Sequence, residues 1–159
     1  MPRFRCIAMP STTAARFRAT GHDDRGNPVL RRTVTEDGAA PCRQCLRYGR
    51  VGEAMLLGSF DLPRPLGVYW TPSPVFLHAE PCPRFEAVDE IAPTALGPTT
   101  LVSVRAYDAG QMCLYDLGRV APGPEVAGPL AAALDDPRTA FVNLHTARPG
   151  CWLAGVERL

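Results

Sequence analysis

Proline and glycine interrupt this chain so often that long regular elements are disfavoured. Its 159 residues include 17 prolines and 14 glycines. Proline fixes the backbone φ angle and has no N–H donor, and glycine favours turns, so both residues tend to end helices and strands. We therefore expect short elements joined by irregular connections around one core, because a chain of this length usually forms a single domain.

Hydrophobic alternation and helix stop signals predict mainly strands. Two short helices are predicted, one over 12–19 capped by Ser11 and one over 124–134 that opens with Pro124. Strands are predicted over 3–8, 29–35, 42–48, 53–61, 74–79, 100–107 and 112–117, with a C-terminal hairpin formed by 140–145 and 151–156. The predicted fold class is α+β, mainly an antiparallel β-sheet with two short flanking helices and long irregular loops. Within the single domain 1–159, the polar segment 20–41 is expected to be a mobile surface excursion.

Composition excludes several functional classes. All 17 basic residues are arginine, which suggests a high-GC bacterial genome. Without lysine the chain cannot form a pyridoxal phosphate Schiff base or a P-loop. It also lacks the Gly-x-Gly-x-x-Gly dinucleotide motif, so no cofactor is indicated. A formal net charge of +1 disfavours nucleic acid and acidic membranes as partners.

The expected location is the cytoplasm. No run approaches the roughly 18 apolar residues of a membrane span, and the N-terminal residues contain no signal-peptide stretch. In a reducing compartment the six cysteines are expected to be free thiols. They are then candidates for packed thiols, metal ligands or a nucleophile.

The predicted C-terminal hairpin carries the first candidate site. A turn of four or five residues sets His145 nearly opposite Cys151, and directly opposed residues have Cβ atoms about 4.5–5.5 Å apart. An imidazole at that distance can draw a thiol toward thiolate, so Cys151 is a candidate nucleophile activated by His145. The pairing depends on register, because a shift of one residue moves the side chains to opposite faces. Alternatively both residues are simply packed, since free cysteine is often buried.

Arginines on predicted strands supply the second set of candidates. Arg43 and Arg105 alternate with apolar neighbours, so either can point inward, where a charge needs a partner. Asp108 lies at the end of a strand and can pair with such an arginine, either as a structural ion pair or to orient an arginine that binds an anionic substrate. His78 ends the strand 74–79 and is a candidate for substrate binding or for an ordinary hydrogen-bonded surface residue.

Cysteine spacing gives the third set. The segment from Cys42 to Cys45 has the Cys-x-x-Cys spacing of redox and zinc motifs, but on a strand positions three apart face opposite ways. No second Cys-x-x-Cys supplies another pair of ligands, so we interpret the local motif as coincidental. The remaining metal hypothesis is a dispersed Cys₃His site for zinc or iron built from Cys42, Cys82, His145 and Cys151.

Five separate blocks of the sequence together carry a family resemblance. They are Pro41-Cys42-Arg43, Gly52-Glu53 with Leu56-Leu57, Ser73 to His78 with Cys82, Val104 to Ala109, and His145 to Cys151 followed by Val156 to Arg158. In this order and spacing they resemble the bacterial domain-of-unknown-function family 1203. The resemblance implies no reaction, cofactor or substrate, but it draws attention to Cys42, Arg43, Cys82, Asp108, His145 and Cys151. Cys45 departs from the pattern.

Three functional hypotheses follow. The preferred one is a small enzyme acting on an anionic small molecule, with Cys151, His145 and Asp108 as catalytic residues and Arg43, Arg105 and His78 as binding residues. The second is a metal-binding structural module that uses the dispersed ligand set. The third is a non-catalytic binding protein with an exposed apolar patch around 66–74.

Overall fold

The computed structural model describes all 159 residues and contains two antiparallel sheets. The five-stranded sheet has the order β1-β8-β7-β5-β6, and its strands are β1 Phe4–Ile7, β5 Leu101–Tyr107, β6 Arg119–Pro122, β7 Phe141–Thr146 and β8 Trp152–Arg158. The three-stranded sheet has the order β2-β3-β4, and its strands are β2 Leu30–Thr33, β3 Ala54–Asp61 and β4 Pro72–His78. The helices are α1 Ser11–Thr20 and α2 Ala127–Asp135. The predicted α+β class with mainly antiparallel strands and two short helices is confirmed.

Each sheet has its own hydrophobic cluster. Helix α2 packs against the five-stranded sheet, where it buries Leu130 and Leu134. Helix α1 packs on the three-stranded sheet, where it buries Ala14 and Phe17. Trp152 belongs to β8 but lies in the second cluster, with its ring centroid 5.5 Å from that of Phe60 in β3. The two sheets therefore meet at the start of β8.

The segment 42–48 is not a strand, so that prediction was wrong. Its backbone closes on itself, because the Cys42 N–H donates to Arg47 O and the Gly49 N–H donates to Ala40 O. Leu46 has φ 55°, in the left-handed region that a strand cannot contain. The apolar run therefore forms a compact loop, and Cys42 and Cys45 need not face opposite ways.

Two further predictions of local structure were wrong. The segment 112–117 is not a strand: it pairs with β5 only at Cys113 and then forms a 3₁₀ turn over Tyr115–Leu117, and β6 takes the sheet edge after Gly118. Aspartate and glycine in this stretch favour a turn, which interrupts the pairing. Ser11 does not cap helix α1 but is its first residue, and its Oγ accepts a hydrogen bond from the Gln44 side chain.

The segment 20–41 contributes one strand, the exposed β2, which forms an edge of the three-stranded sheet. Its turn is tied to β3 by the buried Asp23, whose carboxylate accepts hydrogen bonds from the backbone N–H groups of Arg25, Asn27 and Ser59. These hydrogen bonds lower the pKa of Asp23 against the opposing effect of burial. The mobility expected for this segment stays a prediction. Neither helix of the fold has the length and hydropathy that crossing a bilayer requires.

Candidate metal centre

The loop that follows Ala40 is held in place by backbone hydrogen bonds to distant parts of the chain. The Arg43 N–H donates to Phe76 O of β4, and Arg43 O accepts from the Met9 N–H. On the other side, Gln44 O accepts from the Phe85 N–H. These hydrogen bonds fix the backbone at Arg43 and Gln44, the two residues that lie between Cys42 and Cys45.

The end of β4 and the chain just after it meet this loop. Cys42 forms a parallel bridge with Phe76, which sets the loop beside the last residues of β4. His78 is the final residue of that strand, and Cys82 follows four positions later between two prolines. The topology thus brings two pairs of potential ligands, Cys-x-x-Cys and His-x-x-x-Cys, to one place.

The four side chains form one compact cluster of three sulfurs and one nitrogen. Ligand atoms of Cys42, Cys45, His78 and Cys82 all lie within 4.8 Å of one another. The Sγ atoms of Cys42 and Cys82 are 3.8 Å apart, and Cys45 Sγ lies 3.5 Å from Nδ1 of His78. Around a tetrahedral zinc ion, two sulfur ligands lie about 3.8 Å apart and a sulfur and a nitrogen about 3.6 Å apart. Two edges of the cluster already have the lengths of a zinc tetrahedron.

The imidazole of His78 is oriented by an acid on its far side. Its Nε2 lies 3.3 Å from Oε2 of Glu53, the residue before β3. A proton on Nε2 donates to this carboxylate and leaves the lone pair of Nδ1 directed at the thiols. Metal-bound histidines are commonly held in this way by a carboxylate that fixes the tautomer.

A second layer of polar groups surrounds Cys82. Its Sγ lies 3.7 Å from the Arg18 guanidinium and 3.5 Å from Oε1 of Gln44. Arg18 also donates to Gln44 Oε1 and to the carbonyl of His78, so helix α1 supplies a fixed positive charge beside the cluster. An arginine at this position favours a thiolate over a neutral thiol.

The pKa values of the four groups in the cluster shift in different directions. Hydrogen bonds from Cys45 and Cys82 hold the pKa of the Cys42 thiol well below its ordinary value. The same contacts raise the pKa of Cys45 and of Cys82. A hydrogen bond to Cys42 raises the pKa of His78. The cluster therefore stabilises one negative charge at its centre, which is the condition for attracting a cation.

His145 and Cys151 do not oppose each other, so the predicted register of the C-terminal hairpin was wrong. His145 pairs with Trp152, and the register shifts between Leu144 and His145. The Thr146 N–H donates to Cys151 O, and the Cys151 N–H donates to Thr146 Oγ1. The Nδ1–H of the buried His145 donates to Gly150 O at 2.9 Å. One extra residue in the turn moves the pairing by one position, which is the shift that separates the two side chains.

The structure separates the four residues of the dispersed metal hypothesis into two places. Cys42 and Cys82 belong to the compact cluster, whereas His145 and Cys151 lie at the C-terminal hairpin and take no part in it. Their places are taken by Cys45 and His78, which the sequence analysis had assigned to coincidence and to substrate binding. Once 42–48 is a loop, the strand argument against Cys45 no longer applies.

The acidic partner expected for an arginine is absent. Asp108 accepts a hydrogen bond from the Met112 N–H and closes its own turn. The Nε of Arg105 donates to Ser103 Oγ at 3.1 Å. Arg43 is 2% exposed and donates to the carbonyls of Trp152 and Pro41. Neither arginine forms an ion pair with Asp108.

The apolar stretch proposed as a docking patch is only partly exposed. Val68 is 85% exposed and Leu66 57% exposed. Trp70 is half-buried, and its indole N–H donates to Leu62 O. Tyr69 packs edge-on against Tyr107 and Tyr115.

A signal for the missed ligands was present in the sequence. Structural zinc sites pair a Cys-x₂₋₄-Cys unit with a second unit in which three to five residues separate the two ligands. His78 and Cys82 have that second spacing, although they do not form a Cys-x-x-Cys pair. A mixed pair of ligands, read together with the prolines on either side of Cys82, points to the same centre.

Fold and site together define a class: a small α+β protein of two antiparallel sheets with a partly buried Cys₃His cluster beside the end of β4. The family model described as protein of unknown function (DUF1203) matches residues 39–158. The chain belongs to this family, and the match includes all four residues of the cluster but not β1, α1 or β2. Neither curated proteins nor solved structures gave a match.

Proposed function

We propose that this protein binds a single zinc ion through Cys42, Cys45, His78 and Cys82. The observation that carries the proposal is the convergence of all four ligand atoms within 4.8 Å. Buried thiols pack singly against apolar groups when their role is only to fill space. Three thiols and an imidazole whose ligand atoms converge in this way instead match the Cys₃His sets of structural zinc sites.

The donor set favours zinc over other ions. Thiolate and imidazole ligands suit zinc and iron, and a tetrahedral mixture of sulfur and nitrogen is typical of zinc. Calcium and magnesium prefer oxygen ligands, and the cluster supplies none. The compact spacing suits one ion, since no two ligand atoms are more than 4.8 Å apart and two pairs already have the length of a tetrahedral edge.

The role of the ion is structural in this proposal. All four coordination positions are filled by protein side chains, and catalytic zinc sites keep one position for water or substrate. The ion would tie the loop after Ala40 to the end of β4 and to the proline-flanked segment around Cys82. Because that loop also bonds to Met9 and to Trp152, metal binding would hold the two sheets in register with each other.

The charge of the bound state is balanced by the surroundings. Zinc with three thiolates and a neutral imidazole carries one net negative charge, and binding releases the thiol protons to solvent. The Arg18 guanidinium beside Cys82 offsets that charge. The expected cytoplasmic location would keep the thiols reduced and available.

Native and denaturing mass spectrometry of freshly purified, reduced protein tests the proposal. We expect the native mass to exceed the denatured mass by one zinc ion, with elemental analysis giving one zinc per chain. Cys45→Ser should lose the ion, because it removes one of the four ligands. Cys113→Ser is the matched control, since Cys113 is a half-buried free thiol outside the cluster.

Cys151→Ser separates the compact ligand set from the dispersed one. We expect this variant to keep its zinc, because Cys151 lies outside the cluster. Retention of stoichiometric zinc by Cys45→Ser would overturn the assignment. So would the failure of reduced wild-type protein to take up zinc from an equimolar solution.

A further inference from the structure

A small pocket lies between the turn of the C-terminal hairpin and the outer face of β3 and β4. Its volume is about 160 Å³. Apolar side chains form most of its wall, among them Leu57, Pro74 and Phe76, and the polar groups that reach it belong to Arg43, Thr146 and Cys151. The cluster proposed to bind zinc contributes no residue to the lining.

Arg43 is a buried cation without an anionic partner. Its side chain is 2% exposed, and none of the ion pairs in the protein includes it. Both of its hydrogen bonds go to neutral carbonyls, with Nε donating to Trp152 O and Nη1 to Pro41 O. A buried charge is costly unless it is paired, so a guanidinium held in this way calls for an anion.

The free edge of the guanidinium faces accessible space. Nη2 of Arg43 makes no hydrogen bond within the protein. Only Thr94 Oγ1 and Thr139 Oγ1 are fully buried without a partner, so Nη2 retains accessible surface. Arg43 lines the pocket beside Cys151, so this is where its unused donors are available to a ligand.

The Arg43 side chain forms no hydrogen bond to the neighbouring cluster. Arg18 already lies against Cys82 and supplies the counter-charge for three thiolates and a divalent ion. The guanidinium of an arginine stays protonated at neutral pH, so Arg43 keeps its positive charge.

We propose that this pocket binds the carboxylate of a small organic acid, with Arg43 holding the charged head and the apolar wall holding the short hydrocarbon body. A volume of about 160 Å³ equals that of roughly five water molecules. A nucleotide or a peptide is too large for it. The planar guanidinium offers paired donors to a carboxylate, and the leucine, proline and phenylalanine wall favours an aliphatic chain over a fully hydrated inorganic anion.

Cys151 provides a reporter inside the pocket, since it is half-buried and free. Iodoacetate and iodoacetamide alkylate a thiolate by the same displacement: a sulfur–carbon bond forms, the carbon–iodine bond breaks, iodide leaves, and the thiol proton goes to solvent. The two reagents differ only in that iodoacetate carries a carboxylate. If Arg43 binds that carboxylate, iodoacetate is held next to the sulfur that it alkylates.

The experiment compares the two alkylation rates at Cys151 by peptide mass mapping of the full-length, metal-replete protein. We expect the ratio of the iodoacetate rate to the iodoacetamide rate to be at least tenfold higher at Cys151 than for N-acetylcysteine. Propanoate should slow the iodoacetate reaction at Cys151, and propanamide should not. Cys113, which lies outside the pocket, is the internal reference thiol. A ratio at Cys151 no higher than that of N-acetylcysteine would overturn the proposal.

Two variants keep the test independent of folding. Arg43→Met should abolish the preference for iodoacetate, but it also removes the hydrogen bonds to Trp152 and Pro41. Cys151→Leu leaves Arg43 in place and occupies part of the pocket. Propanoate should shift amide resonances of the pocket-lining residues in wild-type protein and not in Cys151→Leu, and identical shifts in the two proteins would contradict the assigned site. None of these results depends on zinc at the cluster, so failure of one proposal leaves the other intact.

Discussion

Nε2 of His78 lies 3.3 Å from Oε2 of Glu53, while Nδ1 of the same ring lies 3.5 Å from Cys45 Sγ. The two contacts fix which nitrogen carries the proton and which is free to bind a metal. Glu53 in turn accepts the Arg50 N–H at 2.7 Å, so the carboxylate is held by its own turn. The pKa of Glu53 is lowered, first by this backbone hydrogen bond and then by the interaction with His78.

Glu53→Gln should weaken zinc binding by about tenfold. Residues that hydrogen-bond to a metal-bound histidine typically contribute 10- to 100-fold to metal affinity. We expect the lower end of this range because Glu53 lies at the surface. Glutamine keeps an acceptor for Arg50 and His78 but removes the charge. Competition with a chromophoric chelator measures the affinity. Glu125→Gln changes an exposed acid outside the cluster and is the matched control. Equal zinc affinities of the two variants would show that Glu53 plays no part in binding.

Leu46 is the residue whose backbone makes the ligand loop possible. It is fully buried and has φ 55°. Leu46→Ala should cost about 2–5 kcal/mol, as expected for a lost leucine side chain in a core. Leu46→Gly should nevertheless be about 0.5–1 kcal/mol more stable than Leu46→Ala, because glycine adopts a positive φ without the penalty of a Cβ.

Urea unfolding of the two Leu46 variants measures this difference. The control is the same pair of substitutions at Leu144, a fully buried residue of β7 whose φ is not positive. There the order should reverse, with glycine less stable than alanine. If alanine is the more stable residue at both positions, the left-handed backbone at Leu46 carries no strain.

The regular part of the fold could be predicted from the sequence because its signals are local. Alternation marked β3 and β5, and a proline start with an Asp-Asp-Pro stop marked α2. The strand prediction for 42–48 failed because hydrogen bonds to distant segments bend this stretch into a loop. Nothing in the local sequence reports that Phe76 and Phe85 hold this loop.

The candidate site could likewise be predicted only in part from the sequence. Cys42 and Cys82 belong to the dispersed metal hypothesis, in which His145 and Cys151 are partners by residue type and not by position in space. His78 reaches the thiols because the parallel bridge from Cys42 to Phe76 places the end of β4 beside the loop. His145 lies instead in the C-terminal hairpin, where the pairing of β7 with β5 sets it beside Ser103. Both facts depend on pairing between segments far apart in sequence, which composition and periodicity do not contain.

Gly123 is required by a close approach of two backbones before helix α2. A Cβ at this position would lie 2.4 Å from Gly97 O and 2.8 Å from Ala95 O. Gly123→Ala should therefore destabilise the protein by about 1–3 kcal/mol, since backbone has to move to relieve the overlap. Gly128→Ala is the control, because a Cβ there meets nothing within 4 Å. Alanine in helix α2 should be neutral or stabilise the protein by up to about 1 kcal/mol. Thermal unfolding of both variants measures the difference, and equal melting temperatures would show that the overlap is relieved without cost.

His145 should make the protein sensitive to acid. Burial lowers its pKa from 6.5 to about 4, and the charges of Arg105 and Arg43 act in the same direction. Between pH 6.5 and pH 4 His145 is protonated in the unfolded chain but neutral in the folded protein, so acid favours unfolding. The contribution of the neutral His145 to stability is therefore complete above about pH 6.5 and is lost as the pH falls toward 4. Between pH 7 and pH 4.5 the loss is about 2–3 kcal/mol.

His145→Asn removes the titrating ring but retains a donor for Gly150 O, so the variant should lose about 2–3 kcal/mol less stability than wild type between pH 7 and pH 4.5. Urea unfolding at the two pH values gives this difference, and metal release at low pH cancels because both proteins keep the Cys₃His cluster. His22→Asn, at an exposed histidine, should follow wild type. Parallel pH profiles of wild type and His145→Asn would mean that the folded protein accommodates a charged imidazole beside Gly150. The buried histidine would then be a proton acceptor accessible at mildly acidic pH, and the hairpin turn that carries it would have to open to water.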